Sequence, residues 1–304
     1  MYLTGIGDEA AATLAGQIRA TKELGWQSLE ARNVRIGGFP AANLHDVTEA
    51  AFQQAVDALE AAQISVCCFG SAIANWGKKI DEPFEASLAE ARRAIPRMQR
   101  LGTKLVRIMS FAVREGTEDQ MEAERFRRLR ELTGMFLDAG LQPVHENCMN
   151  YGGMGWPFAL KLLEAVPGLM WVFDTGNPLF NADRSKPQPW PKQDPWEFYL
   201  HVKPFIRHVH IKDVVWDQGK GAPVYTFPGE GQGQVRKILK DLLASGYEAG
   251  ISIEPHMAVV FHDATVTATA EAQHDNYVEY GRRLARLISE IQAELEAERP
   301  ATSR

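Results

Sequence analysis

The feature that most constrains this chain is an alternation that never stops: short β-rich runs are followed by helix-length patterns from one end to the other. Candidate strands occupy residues 2–6, 27–31, 64–69, 104–109, 141–146, 169–174, 206–211 and 251–254, each an apolar or β-branched core beside a Gly, Pro or polar break. Between them, residues 11–24, 47–62, 84–101, 123–139, 235–244 and 268–296 carry apolar side chains at helical spacing. Several of these patterns stop at a glycine (Gly25, Gly102, Gly140, Gly246), as helix C-termini do. Eight strand–helix units in 304 residues match a single α/β domain, a (β/α)8 barrel over 1–296 with a flexible tail at 297–304. A doubly wound sheet would offer a glycine-rich phosphate loop directly after a strand. Gly229-Glu-Gly-Gln-Gly233 approaches that spacing but does not follow one.

Composition narrows the function. Charged residues are 24% and the formal net charge is −6, so no broad electrostatic grip on nucleic acid or anionic membrane is expected. No run approaches the ~18 apolar residues of a membrane span, and the N-terminus lacks a secretory pattern. Cys67, Cys68 and Cys148 are an odd number with no CxxC spacing, which points to a reducing compartment, the cytoplasm. Two connections are long, 70–83 and the segment after Asp174 through 181–192. Both follow strands, where barrel active sites lie, and the second equally suits a homo-oligomer contact.

The ends of the last four strands carry the chemistry. They read Pro143-Val-His-Glu146, Trp171-Val-Phe-Asp174, His208-Val-His210 and Ser252-Ile-Glu254. In a barrel these ends are neighbours on one rim, so Glu146, Asp174, His210 and Glu254 converge. Three carboxylates repel one another unless a cation sits among them. An oxygen-rich set with one imidazole suits one divalent metal ion, Mn²⁺ or Mg²⁺ first, with Co²⁺ or Zn²⁺ also accommodated. Alternation along the strands turns His145 to the helix layer, sets His208 one layer deeper, and brings Lys212 above His210. Lys212 is a candidate for a substrate oxygen or for a rim salt bridge. Glu30, Arg32 and Arg107 near other strand ends, and His256 beyond Glu254, are further candidates for a polyol. Trp76, Trp156, Tyr151 and Phe39 are post-strand aromatics that could stack on a sugar ring or simply pack.

Several motifs together resemble the sugar phosphate isomerase/epimerase family, the xylose isomerase-like TIM barrels. They are Gly7-Asp-Glu9, Leu24-Gly-Trp-Gln-Ser-Leu-Glu30-Ala-Arg32, His145-Glu-Asn147, Phe173-Asp-Thr-Gly-Asn177, His208-Val-His-Ile-Lys-Asp213, Pro228-Gly-Glu-Gly231 and Ile253-Glu-Pro255. Their order covers almost the whole chain. The resemblance implies a metal held by Glu146, Asp174, His210 and Glu254, with Glu146 and Glu254 also acting as the acid/base pair. It implies a metal-dependent isomerase or epimerase on a small sugar, with manganese as the leading ion. The same residues would serve a lyase or dehydratase on a keto-polyol or keto-glycoside. One departure stands out: many members have a histidine three residues after the strand-six Asp, and here that substrate-contact position is Asn177, whose amide cannot carry a proton at neutral pH. An abasic-site endonuclease on the same barrel would need more histidines than eight and a basic face. A sugar-binding subunit without turnover would have no use for the quartet.

Overall fold

The computed structural model describes residues 1–219, 221–258 and 268–298. Eight strands form one parallel sheet: β1 (Tyr2–Gly5), β2 (Ser28–Ala31), β3 (Ser65–Phe69), β4 (Leu105–Ile108), β5 (Gln142–Glu146), β6 (Met170–Asp174), β7 (Ile206–Ile211) and β8 (Gly250–Ile253). Neighbours in sequence are neighbours in space, and β8 pairs with β1. Between β1 and β2 the barrel closes through an isolated parallel bridge at Ile6 and Glu30, and through the Thr4 hydroxyl, which donates to Ser28 O at 2.8 Å.

Around the barrel run α1 (Leu14–Glu23), α2 (Glu49–Ala62), α3 (Glu85–Leu101), α4 (Glu122–Asp138), α5 (Trp156–Ala165), the single-turn α6 (Asn177–Phe180), α7 (Pro195–Val202), α8 (Val235–Ala244) and α9 (Ala270–Ala297). In α3 the spacing Leu88, Ala91, Ala94 and Met98 puts its small and apolar residues on the buried face, and Gly102 ends it at φ 68°, a conformation glycine adopts without penalty. Thr13, Thr48 and Thr269 cap α1, α2 and α9 by accepting a backbone N–H three residues on. The strands supply buried Val66, Val106, Val144, Val172, Val209 and Ile251, the near-continuous apolar core of a parallel barrel.

Several elements lay outside the sequence expectation. α5 and α7 are almost uniformly apolar or aromatic, so neither shows a helical stripe in sequence. A two-stranded antiparallel ribbon, Asp213–Asp217 with Ala222–Thr226, rises beyond β7, and a smaller one joins Asn33–Val34 to Ala42–Asn43. The helix expected to 296 runs to Ala297, and residues 299–304 of the proposed tail lie outside the described residues.

The loops after β3 and β4 are zipped together above the rim. Met109 N donates to Ile73 O at 3.0 Å, Phe111 N to Ala74 O at 2.6 Å and Ala112 N to Lys78 O at 2.8 Å. Ala74 (φ 54°) and Phe111 (φ 63°) sit in the left-handed region, at about 1 kcal/mol or more each for a residue with a Cβ. Among the described residues, no helix is long and apolar enough to cross a membrane.

Candidate metal centre and active site

Parallel pairing brings the C-terminal ends of β5 to β8 side by side, and the motif residues flanking each ligand lash those ends together. Asn147 Nδ2 donates to Asp174 O at 2.8 Å while its Oδ1 accepts Asp174 N at 2.9 Å. The Thr175 hydroxyl donates to Lys212 O at 2.7 Å and accepts Lys212 N at 3.1 Å. So fixed, Glu146, Asp174, His210 and Glu254 each offer a ligand atom within 4.8 Å of the others, and all four residues are buried.

The donor set fits a cation. Asp174 Oδ1 accepts the backbone N–H of Gly176 (2.8 Å) and Asn177 (2.7 Å), while Oδ2 accepts no hydrogen bond. Glu254 Oε2 also accepts none. Lys212 Nζ stands 3.2 Å from the first and 2.9 Å from the second. Among the described residues, six buried carboxylates (Asp8, Glu9, Glu30, Glu146, Asp174, Glu254) gather around this point against three permanent cations, Arg32, Arg107 and Lys212. A divalent charge would reduce that imbalance.

Burial penalises every charge here, and the outcome depends on the neighbours. Burial raises the Asp174 carboxyl to about 6, with the Glu254 and Glu146 charges adding to it and Lys212 opposing. At Glu146, Arg107 and His210 overcome burial and hold the carboxyl at about 2. Lys212, His256 and Arg32 likewise outweigh burial and hold Glu254 well below the usual carboxylate range. Against burial, Glu30 and Glu146 lift the His210 imidazole to about 10. Without a metal, a protonated His210 stands in for part of the missing positive charge.

Above the quartet opens a cavity of 240 Å³. Six of the seven expected substrate residues line it: Arg32, Trp76, Arg107, Asn177, Lys212 and His256. Arg107 Nη1 donates to Glu146 Oε2 at 2.7 Å and Asn177 Nδ2 to Glu146 Oε1 at 3.2 Å. Lys212 Nζ donates to Asn177 Oδ1 at 3.2 Å, which joins the amide to the rim. Arg32 Nη1 donates to Glu254 Oε1 at 2.6 Å. His256 Nδ1 lies 3.0 Å from Glu9 Oε1, and its backbone is left-handed at φ 52°.

The seventh, Glu30, is placed elsewhere. It is fully buried beneath the quartet, 2.9 Å from His208 Nε2 and 3.0 Å from His210 Nε2, because a residue within β2 points into the barrel rather than out of its mouth. His208 takes the deeper layer expected of it. His145 faces the helices, 2.9 Å from Ser110 Oγ, with its ring tilted against that of Trp171. Tyr151 and Trp156 also belong to the helix layer, Tyr151 donating to Glu122 and Trp156 stacking on His201, and Phe39 packs on the core.

Sequence reasoning missed Asp8 and Glu9, whose carboxylates hold the Arg32 guanidinium. The clue was available, since two acids follow the first strand as acids stand at the ends of three of the last four. It also missed Trp216 and Pro223, which wall the cavity from the Asp213–Asp217 ribbon. The glycines at 229–233 do cradle an anion, but it is internal. Gly229, Gly231 and Gly233 N donate to the Asp213 carboxylate at 2.8, 3.0 and 2.9 Å.

The family model described as xylose isomerase-like TIM barrel matches residues 18–283. The chain belongs to that family. Solved structures agree on the fold. A xylose isomerase-like TIM barrel protein from Mycobacterium smegmatis in complex with magnesium superposes with TM-score 0.67 at 16% identity, over 94% of this chain and 97% of that one. A D-tagatose 3-epimerase-like protein gives TM-score 0.69 at 15% identity over 97% and 100%. The probable 3-DHS dehydratase AsbF from Bacillus anthracis gives 0.64 at 13% over 94% and 99%. No match to a curated protein is found.

Proposed function

We propose that this barrel is a divalent-metal-dependent isomerase or epimerase of a small sugar, removing a proton from a carbon next to a carbonyl. The convergence of four buried ligand atoms within 4.8 Å, with Glu146 and Glu254 among the residues lining a cavity that Arg32, Arg107, Asn177 and Lys212 also line, carries the proposal. Glu146, Asp174, His210 and Glu254 would hold the ion. Three carboxylates and one imidazole favour manganese, with magnesium, cobalt or zinc also suited, and the M. smegmatis protein of the same fold is in complex with magnesium. Bound there, the ion supplies Lewis-acid charge that makes a C–H beside a carbonyl acidic enough to lose.

The chain's own residues divide the remaining work. Glu146, kept ionised by Arg107 and His210, and Glu254, kept ionised by Lys212, His256 and Arg32, would be the pair that removes the proton and returns it. Lys212 and Asn177 present donors to substrate oxygens from the β6–β7 side. Trp76 and Trp216 close the cavity laterally and exclude water. Glu30 acts through His210, holding the ring from behind. The three thiols are unpaired, in keeping with a cytoplasmic setting.

Elimination is the second outcome the same residues permit, and the D-tagatose 3-epimerase-like protein and AsbF share the barrel. Metal-loaded protein incubated with a panel of ketoses in deuterated water separates the two. Deuterium at the carbon beside the carbonyl, lost in Glu254→Gln, is the expected result. Absence of exchange with every ketose, together with dehydrated product from a keto-inositol or 3-keto-glucoside, would assign a lyase instead.

A further inference from the structure

A second hollow, of 330 Å³, adjoins the cavity above the quartet and shares four of its wall residues, Trp76, Cys148, Met149 and Phe180. Taken alone, the inner cavity of 240 Å³ is smaller than the ~300–1,000 Å³ of ordinary small-ligand sites, whereas the two together fall inside that range. The outer hollow is polar on its own account. None of the four candidate metal ligands lines it; its polar groups are Glu115, Asn150, Asn181 and Arg184, from the loops that follow β4, β5 and β6.

Three of its side chains are free to meet a ligand. Arg184 Nη2 donates to both oxygens of Glu115 at 2.6 and 2.7 Å, and its guanidinium lies 4.6 Å from the centroid of the Trp190 ring, which fixes its plane. Among the described residues nothing accepts from Nε or Nη1, so N–H groups remain. Asn181 N donates to Asn177 O at 3.1 Å, but no described residue hydrogen-bonds to the Asn181 side-chain amide. Trp76 is half-buried and lines both hollows, and among the described residues its ring meets neither another ring nor a cation. Asn150 is the exception, since it is buried and its Oδ1 accepts from Ser110 Oγ at 2.9 Å.

The wall that carries these groups is preorganised. Phe111 N donates to Ala74 O and Ala112 N to Lys78 O, which fixes the chain on either side of Trp76. Gln120 Oε1 accepts Arg114 N and its Nε2 donates to Arg114 O, both at 2.9 Å, which holds the loop beside Glu115. A planar donor, an amide and an indole match a pyranose ring: hydroxyls take the hydrogen bonds and the C–H face lies on the aromatic. Because Arg184 and Glu115 neutralise each other, the hollow suits an uncharged polyol better than a phosphate or carboxylate.

We propose that the sugar transformed here is a ketose carrying a second sugar unit: the ketose over the quartet, the attached pyranose in the outer hollow against Trp76, Asn181 and Arg184. This rests on the sugar-transforming assignment above and adds the other half of the substrate. The reaction needs no further reactant. The carbonyl is that of the ketose in its open-chain form, and the proton leaves and returns beside it. The glycosidic bond, on a carbon remote from the ketone, is neither formed nor broken.

The test uses the metal-loaded full chain and three disaccharides built on one ketose. Palatinose, maltulose and lactulose, each a fructose bearing glucose or galactose, are compared with fructose itself. Deuterium uptake beside the ketone gives kcat/KM, and calorimetry gives affinity. At least one disaccharide should exceed fructose about ten-fold or more in both, the order expected from two added hydrogen bonds and a stacked ring. Asn181→Leu, which removes an amide with no described partner, should cut that ratio about three-fold or more, and so should Arg184→Met. The double variant should bring the ratio to within about two-fold of unity. Retained metal stoichiometry and melting temperature show that the variants are folded. Fructose handled as well as every disaccharide, or a disaccharide advantage that survives the double variant, would overturn the proposal and leave the isomerase assignment standing. So would failure of all three disaccharides to bind while fructose still exchanges deuterium. Disaccharides that bind tighter than fructose, with no uptake into any of the four sugars, would sink the isomerase assignment and keep the second sugar site.

Discussion

Glu30 Oε2 lies 3.0 Å from His210 Nε2 and 2.9 Å from His208 Nε2, so one fully buried carboxylate grips two imidazoles from beneath the rim. The grip on Nε2 leaves His210 Nδ1 facing Glu146 Oε1, 3.2 Å away, toward the quartet. A ligand imidazole held through its other nitrogen is fixed in tautomer and orientation. Glu30→Gln should therefore weaken metal affinity by about 10–100-fold, read by competition with a chelator. Unchanged affinity would show that His210 is positioned without it. Glu30→Ala leaves both histidines without that partner and should cost about 3–5 kcal/mol in urea unfolding.

The metal-free protein should lose stability toward alkaline pH. Folded His210 titrates at about 10 against an ordinary ~6.5, so the stabilisation it gives is complete below about 6.5 and is lost as pH rises through about 10. Asp174, raised to about 6, acts with the same sign between about pH 4 and 6. Urea midpoints in chelator should fall between pH 6.5 and 9.5 by the equivalent of a few kcal/mol. Excess metal should flatten the slope, because the ion replaces the proton on His210. A midpoint that climbs with pH would contradict this.

Much of this was legible because period-2 and period-3.6 patterns survive in a parallel barrel, and because strand ends carry side chains chosen for chemistry rather than packing. Glu146, Asp174, His210 and Glu254 were readable for that reason, and alternation alone put His145 and His208 in their layers. Glu30 was not placed correctly, since its position near a strand end does not say how far below the rim the strand sits. α5 and α7 were hidden because mostly apolar and aromatic residues, broken by few charges, blur the contrast between their faces. Trp216 and Pro223 were hidden because a surface ribbon has no core pattern to announce it.

Arg107 Nη1 sits 2.7 Å from Glu146 Oε2, and this guanidinium heads the forces that hold the carboxyl at about 2 against burial. Replacing it by a neutral side chain of similar length, Arg107→Met, should raise the Glu146 pKa. The acidic limb of the kcat/KM–pH profile should move to higher pH, with a loss at neutral pH of about 10-fold or more. A profile that falls in height without moving would assign Arg107 to substrate binding alone.

Asp213 accepts four backbone N–H groups, from Val214 at 2.9 Å as well as from the three glycines of the 229–233 loop. An amide in its place can accept on one atom only. Asp213→Asn should cost about 2 kcal/mol or more in thermal or urea unfolding. Gly231→Ala should be similarly damaging, because its Cβ would meet Asp213 Oδ1 at 2.3 Å. If both variants unfold like wild type, the loop is not anchored by this carboxylate.

Crystals of metal-soaked protein, examined by anomalous scattering at the manganese edge, address the central claim most directly. One ion per chain, coordinated by Glu146, Asp174, His210 and Glu254 and absent from Glu254→Gln crystals, is the expected result. A quartet that takes up no ion from saturating manganese, magnesium, cobalt or zinc, in a protein whose deuterium exchange survives chelation, would contradict it.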